Sequence, residues 1–267
     1  RGPFQLGKPI AAIVGPYKIN SVQYMPCSVA TNKTGQVPVR GMGQSPTNFM
    51  IETAVDKVAS HLNMDRLEIR RRNLIRSDEF PYLNPSGTKY DSGDYETVLG
   101  KATELATYED LLKRRDDLRS TGMLAGIGIA TCLEPSGGNN MFEYMFNPKA
   151  EISTYMEGCQ VRVDATGNIV GTMGTTTSGQ GHETLVSTIL GEEFQREPDD
   201  IRVIHADSLA GLPTRSPIAS RMAIMLGGAA AGAAQKIKSK LFQIASHNLG
   251  KPIDGLEYSE GMIFDRS

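Results

Sequence analysis

Apolar residues recur at spacings of three and four from Ile51 through Ala54, Val55 and Val58 to Leu62. That period puts them on one face and predicts a helix over residues 46–62. Pro46 falls in its first turn, where the missing N–H costs nothing. Asp65 then caps a second predicted helix over 66–75, with Glu68 in the capping-box position. Two more helices are predicted at 95–106 and 109–119, after a long loop at 77–93. Further on, Leu185, Val186, Ile189 and Leu190 share one face of a predicted helix over 182–194. Residues 218–247 are mostly helical and small-sided, above all from Gly227 to Ala234. Residues 10–30 show loose alternation and are expected to be extended. Strands are predicted at 123–131, 150–157 and 201–205. Residues 160–164 and 169–174 form a predicted hairpin through Ala165-Thr166-Gly167-Asn168. The hairpin argues against a purely parallel sheet, so the expected class is α+β, mixed sheets with packed helices.

Composition narrows the function classes. Hydrophobic residues make up 39 % of 267, and 28 glycines bring the share to that of a globular protein. Lys and Arg total 28 against 30 Asp and Glu, a formal charge of −2. That balance argues against a general nucleic-acid binder, which needs a basic face, and against a polybasic membrane anchor. No apolar run reaches membrane-spanning length, and the N-terminus has no secretory pattern. A cytoplasmic location is expected. The opening, without an initiator Met, suggests a processed product or a fragment. Cys27, Cys132 and Cys159 are scattered, so reduced thiols are expected rather than a disulfide framework or zinc site. The run Arg70-Arg71-Arg72 is expected to be a solvated or carboxylate-paired face.

Three segments can carry chemistry, and each has a plainer alternative. Arg40-Gly41-Met42-Gly43 precedes a helix; its glycines free backbone N–H groups for a ligand, and Arg40 offers a cationic fork. It can equally be a Gly-punctuated turn. Thr175 to Thr184 runs from a strand end through Gly179-Gln180-Gly181 into His182-Glu183-Thr184. Unpaired N–H groups and the helix dipole favour an anion there, Gln180 adds donors and an acceptor, and His182 is a switchable donor. A capped helix explains the same pattern. Ala219-Ser220-Arg221 offers a cap or phosphate donor in Ser220 and a charged clamp in Arg221. Close helix packing explains the small residues behind it. Phosphate-loop, dinucleotide and nucleophile-elbow motifs are absent from the sequence.

Taken together, these segments resemble one family. Gly15-Pro16-Tyr17-Lys18-Ile19, Val39-Arg40-Gly41-Met42-Gly43 and Leu67-Glu68-Ile69-Arg70-Arg71-Arg72-Asn73 carry the likeness in the first half. Phe80-Pro81 with Tyr90-Asp91-Ser92-Gly93, Gly179-Gln180-Gly181-His182-Glu183-Thr184 and Ala219-Ser220-Arg221 after Asp207 continue it. The chain resembles the molybdenum-cofactor-binding large subunit of the xanthine oxidase/aldehyde oxidase family. Bacterial carbon monoxide dehydrogenase-like and N-heterocycle hydroxylase subunits look nearest.

The resemblance implies a partial chain, with residues 1–120 the C-terminal part of a first molybdopterin-binding subdomain. Residues 121–267 would be the N-terminal part of a second. It implies molybdopterin cytosine dinucleotide with molybdenum. Arg40, Gly41 and Met42 would lie near the molybdenum oxo group and substrate. Gly179, Gln180, Gly181, His182, Glu183, Thr184, Ala219, Ser220 and Arg221 would hold the pterin dinucleotide. The implied reaction is hydroxylation of an aldehyde or N-heteroaromatic carbon, with water as oxygen donor. Implied partners are the rest of the large subunit with its catalytic Glu, an iron–sulfur small subunit and an FAD medium subunit.

Gly41 stands where copper-type carbon monoxide dehydrogenases carry a Cys, so a copper–molybdenum site is not expected. The family's general base is a Glu in a Gly-x-Gly-Glu segment near the subunit's C-terminal end, and this chain stops at Ser267. Gly191-Glu192-Glu193 falls within a predicted helix and does not match it. No hydroxylase activity is expected of this chain alone. The alternative is a cofactor-free scaffold or interaction subunit retaining the fold.

Overall fold

The computed structural model describes residues 7–35, 39–134, 136, 156–205, 207–210 and 212–266. These form two compact units that divide between residues 134 and 156. Residues 121–134, placed by the sequence with the second segment, pack with the first unit.

In the first unit, Lys8–Ala12 is a 3-10 turn with Pro9 in its first turn, so the extended backbone expected from residue 10 does not begin there. Residues 18–31 lack helix and strand. Helix α1 (Gln44–His61) leads to α2 (Arg66–Asn73), which Asp65 caps by accepting from the Leu67 and Glu68 amides at 2.8 and 3.0 Å. The long loop holds a two-residue hairpin, β1 (Tyr82–Leu83) on β2 (Lys89–Tyr90). Helices α3 (Tyr95–Leu105) and α4 (Tyr108–Ser120) follow. Tyr17, Leu67, Leu74, Leu99 and Tyr108 form the core.

The face of α1 departs from its hydrophobic pattern. Ala54, Val58 and Leu62 are exposed, whereas Gln44, Thr47, Glu52 and Ala59 are buried. The reason is electrostatic: Arg70 has no exposed surface, and its guanidinium pulls Glu52 and Asp56 inward at 2.7 and 2.9 Å. Arg71 pairs with Glu96 and Arg72 with Glu68, so the arginine run is a carboxylate-paired face. Among the described residues, the strand predicted at 123–131 has no ladder; its carbonyls at Ala125 and Ile127 accept from Arg119 and Arg66.

The second unit is built on a three-stranded sheet, β3 (Cys159–Val163), β4 (Ile169–Met173) and β5 (Ile201–Ile204), in that order. Strands β3 and β4 are antiparallel. Strands β4 and β5 are parallel, joined across helix α5 (His182–Phe194), since a parallel pair needs a long crossover. Helix α6 (Met222–Leu249) buries Met222, Leu226, Ala230 and Ala234, one residue per turn, beside Val186, Leu190 and Phe194. A Cβ on Gly171 would lie 2.8 Å from Leu190 Cδ1, and one on Gly227 would lie 2.9 Å from Ile189 Cδ1. Glycine there lets α5 seat on the sheet and on α6. The hairpin β6 (Leu256–Ser259) with β7 (Met262–Asp265) closes the unit. Of the predicted strand at 150–157, residues 150–155 lie outside the described residues, and Glu157 makes an isolated bridge to Thr214.

The β3–β4 turn is organised by Asp164. It accepts from the Thr166 hydroxyl at 2.7 Å and from the Asn168 side chain and amide at 3.0 Å each. These bonds hold its carboxyl down at about 2. A depressed carboxyl stabilises the fold fully above its unfolded value of about 3.9 and loses that contribution as pH falls through its folded value. Carboxyl-carbon NMR is therefore expected to show Asp164 titrating near 2 and the turn amides losing exchange protection with it. A midpoint at the ordinary aspartate value would contradict the bonding.

Among the described residues, no helix is long and apolar enough to cross a membrane, and no group of three His, Cys, Asp or Glu residues could hold a metal. All three cysteines are free; burial pushes the Cys159 thiol up to about 11.

Candidate functional site

In the first unit, the Arg-Gly loop turns directly into α1. Gly41 and Gly43 are left-handed, at φ +82° and +73°, a conformation that favours glycine. A Cβ on Gly41 would come within 2.8 Å of Ser45 Oγ. The Gly41 carbonyl accepts from the Gln44 and Ser45 amides at 3.0 and 3.2 Å, and the Thr47 hydroxyl bonds the Gly43 carbonyl at 2.6 Å. Arg40 is exposed and Met42 half-buried.

A cleft of about 480 Å³ opens beside Gly41, walled by Gln44, Asn48, Phe49 and Glu52 on α1 and by Ile129 and Cys132 on the extended stretch. Gln44 is 5 % exposed, yet its Nε2 has no hydrogen-bond partner among the described residues. A buried donor left in this state is costly unless a ligand or water meets it. Behind the cleft, Glu52 is fully engaged. Its Oε1 accepts from the Tyr17 and Thr131 hydroxyls at 2.7 and 2.8 Å, and its Oε2 accepts from Arg70 Nε and Nη2 at 2.9 and 2.7 Å. Burial pushes the Tyr17 phenol well above its ordinary value and outweighs the lowering bond to Thr131; Glu52 adds to the rise. Tyr17 thus remains a donor at any physiological pH.

In the second unit, the strand end at Met173 passes through residues 174–181 into α5. Gly179 and Gly181 are left-handed, at φ +96° and +73°, and Gly181 is the N-cap of α5 with no side-chain cap. Thr177 organises the loop: its hydroxyl oxygen accepts from the Gln180 and Gly181 amides at 3.0 and 3.2 Å. Gln180 Oε1 folds back to the Thr177 hydroxyl at 3.3 Å. His182, read from sequence as a switchable donor, is only 6 % exposed, and its Nδ1 has no partner. Glu183 Oε1 lies 3.0 Å from His205 Nε2, and Thr184 is exposed.

The third segment differs from its sequence expectation. Helix α6 starts at Met222 with Arg221 at the N-cap position, so Ser220 is not the cap. Ser220 and Ala219 are instead left-handed, at φ +50° and +68°, and Ser216 at +97°. Arg221 is fully buried; its Nη2 donates to Glu157 Oε1 at 2.5 Å and to the Ser216 carbonyl. A guanidinium carries donors only and cannot cap the helix amides, so Arg221 acts at this position as a buried clamp on Glu157 and the Ser216 carbonyl. Arg40, Gly41 and Met42 thus belong to the first unit, and the segments 179–184 and 219–221 to the second.

Sequence reasoning missed Glu157, and it included Gln44 and Thr177 in its candidate segments without giving either a role. Thr177 stood three residues before Gln180, a spacing that side-chain-to-backbone turns use. Glu157 had no such signal, because its partner is 64 residues away.

Comparison with known proteins identifies the family of the chain. The description "molybdopterin cofactor-binding domain" matches residues 101–267, and a second description of the same name matches residues 2–74. The nicotine 6-hydroxylase large subunit of Paenarthrobacter nicotinovorans is 29 % identical over 92 % of this chain and 30 % of its own length. The carbon monoxide dehydrogenase large chain of Hydrogenophaga pseudoflava is 35 % identical over 75 % of this chain and 25 % of its own. The crystal structure of quinoline 2-oxidoreductase from Pseudomonas putida 86 superposes with a TM-score of 0.85 at 26 % identity, over 98 % of this chain and 33 % of that one. This chain therefore spans about a third or less of these relatives. With its α+β fold and both domain matches, the chain belongs to the molybdopterin-binding large subunits of the xanthine oxidase/aldehyde oxidase family.

Proposed function

We propose that this chain forms part of the cofactor pocket of a molybdenum hydroxylase large subunit, and that the cofactor is the cytosine dinucleotide form of molybdopterin. One observation in each unit carries this: Gln44 Nε2 and His182 Nδ1 are buried polar atoms without a partner among the described residues, each on the first residue of a helix. Both helices follow left-handed glycines that bare the backbone. Each helix start, taken by itself, offers unpaired N–H groups that fit an oxygen-rich, anionic group. In this reading Gly179, Gln180, Gly181, His182, Glu183 and Thr184 hold pterin and nucleotide through backbone N–H groups and side chains. Ala219, Ser220 and Arg221 do the same from the turn before α6. Arg40, Gly41 and Met42 face the substrate side, where Met42 supplies an adaptable apolar contact.

The bound group supplies two-electron oxidative hydroxylation, with water as the source of oxygen. The chain's own residues bind, orient and desolvate. The substrate is an aldehyde or an N-heteroaromatic ring. Electrons leave to iron–sulfur clusters and FAD on partner subunits, in the cytoplasm. The 267 residues contain no Gly-x-Gly-Glu segment, and in this reading the chain alone does not turn over; the base comes from the rest of the subunit. A second reading, a cofactor-free scaffold, is favoured by one observation: the Gln180 amide oxygen is taken up by its own loop.

The two readings part on composition of the purified complex. Elemental analysis and acid hydrolysis, with the natural partners present, are expected to find stoichiometric molybdenum and released cytidine monophosphate. Clean absence of both overturns the cofactor reading in favour of the scaffold.

A further inference from the structure

Glu157 is a fully buried, multiply bonded carboxylate of the second unit, and the cofactor reading gives it no task. Its side chain and that of Arg221 are both 0 % exposed. Three bonds to it come from one short stretch: the Thr214 hydroxyl at 2.6 Å, the Arg215 amide at 3.2 Å and Arg221 Nη2 at 2.5 Å. Arg221 closes the circuit by also donating to the Ser216 carbonyl.

The stretch so gripped is strained. Ser216, Ala219 and Ser220 are all left-handed and none is glycine. Backbone of this kind persists only where its surroundings over-determine it, and it clusters at ligand clamps. The surroundings here are close-fitting. A Cβ on Gly158 would lie 3.0 Å from Pro213 Cδ, and one on Gly174 would lie 2.7 Å from the Leu212 carbonyl. Two glycines thus let the preceding strands press against residues 212–213, while the Glu157 carboxylate ties down 214, 215 and 221. A buried ion pair is a poor source of stability compared with apolar packing, and its better-attested use is to fix one arrangement.

We propose that Glu157 is the positioning residue for the Ala219–Arg221 turn. It holds Arg221 and the strained backbone in the one shape that presents this turn to the pterin nucleotide. The proposal rests on the reading of residues 219–221 as a cofactor-holding segment.

The test uses the complex that contains this chain. Glu157→Gln keeps the size of the side chain and an acceptor for Thr214, and it removes the charge facing Arg221. With secondary structure retained by circular dichroism, tryptic cleavage after Arg215 is expected to speed up about tenfold, because cleavage tracks the open population. Molybdenum and released nucleotide should fall in step, and Glu157→Asp should restore part of both. Faster cleavage with full cofactor content overturns the proposal, and so does a variant that matches wild type in both readouts. If Glu157→Gln does not fold, Thr214→Val removes one bond to the carboxylate and leaves the ion pair. It should shift both readouts in the same direction by less, and no shift in either overturns the proposal. A wild-type complex without molybdenum or nucleotide, in which the variant still loosens Arg215, refutes the cofactor reading itself. A cofactor-replete wild type with an unaffected variant refutes only the role of Glu157.

Discussion

Replacing Glu52 with alanine is expected to destabilise the first unit by about 3–5 kcal/mol, the usual cost of stripping one partner from a buried ion pair. Arg70 has no exposed surface and would keep a full charge with only Asp56, at 2.9 Å, to offset it. The Tyr17 and Thr131 hydroxyls would lose a shared acceptor at the same time. Glu52→Gln should cost less, because it keeps an acceptor for those hydroxyls. Urea unfolding followed by far-ultraviolet circular dichroism measures the loss, and amide exchange in α1 and α2 locates it. A loss below about 1 kcal/mol, the range of an exposed pair, would mean that water reaches the carboxylate.

Phe194→Ala is expected to cost the second unit about 3–5 kcal/mol. The ring is 1 % exposed at the end of α5, packed in the cluster of Val186, Leu190, Leu226 and Ala230. Its own carbonyl accepts the Tyr258 hydroxyl at 3.0 Å and so joins α5 to β6. The neighbourhood has little slack, since even a methyl on Gly171 would crowd Leu190 and Val186 at 2.8 and 3.1 Å. A core that cannot collapse keeps the cavity, which places the cost toward the upper end. Ile224→Ala, on an exposed position of α6, should stay within about 0.5 kcal/mol in the same denaturation series.

What the sequence made legible follows from the range of the forces involved. Helix α5 was read at its observed ends, 182 and 194, because four apolar residues share a face and glycine punctuates its start. The β3–β4 hairpin was legible because its turn is built from residues within five positions of one another. The face of α1 was misread for the opposite reason. Hydrophobic periodicity does not register a carboxylate drawn inward by an arginine 18 residues away and a tyrosine 35 residues away. Strands β6 and β7 escaped notice because only Leu256 is buried among their residues. In the candidate site, the glycines of residues 41–43 and 179–181 were legible as turns. The displacement of Ser220 from the cap was not, since it depends on Arg221 being fastened to a residue in another part of the unit.

The left-handed residues at 216, 219 and 220 also bear on how this protein can change over generations. Glycine adopts their backbone at no steric cost, so a glycine at any of the three would relieve strain locally while loosening the turn. Selection for robustness and selection for ligand retention therefore pull in opposite directions at these positions. A lineage that stopped using the turn would be free to accept glycine there, and a lineage that kept using it would not.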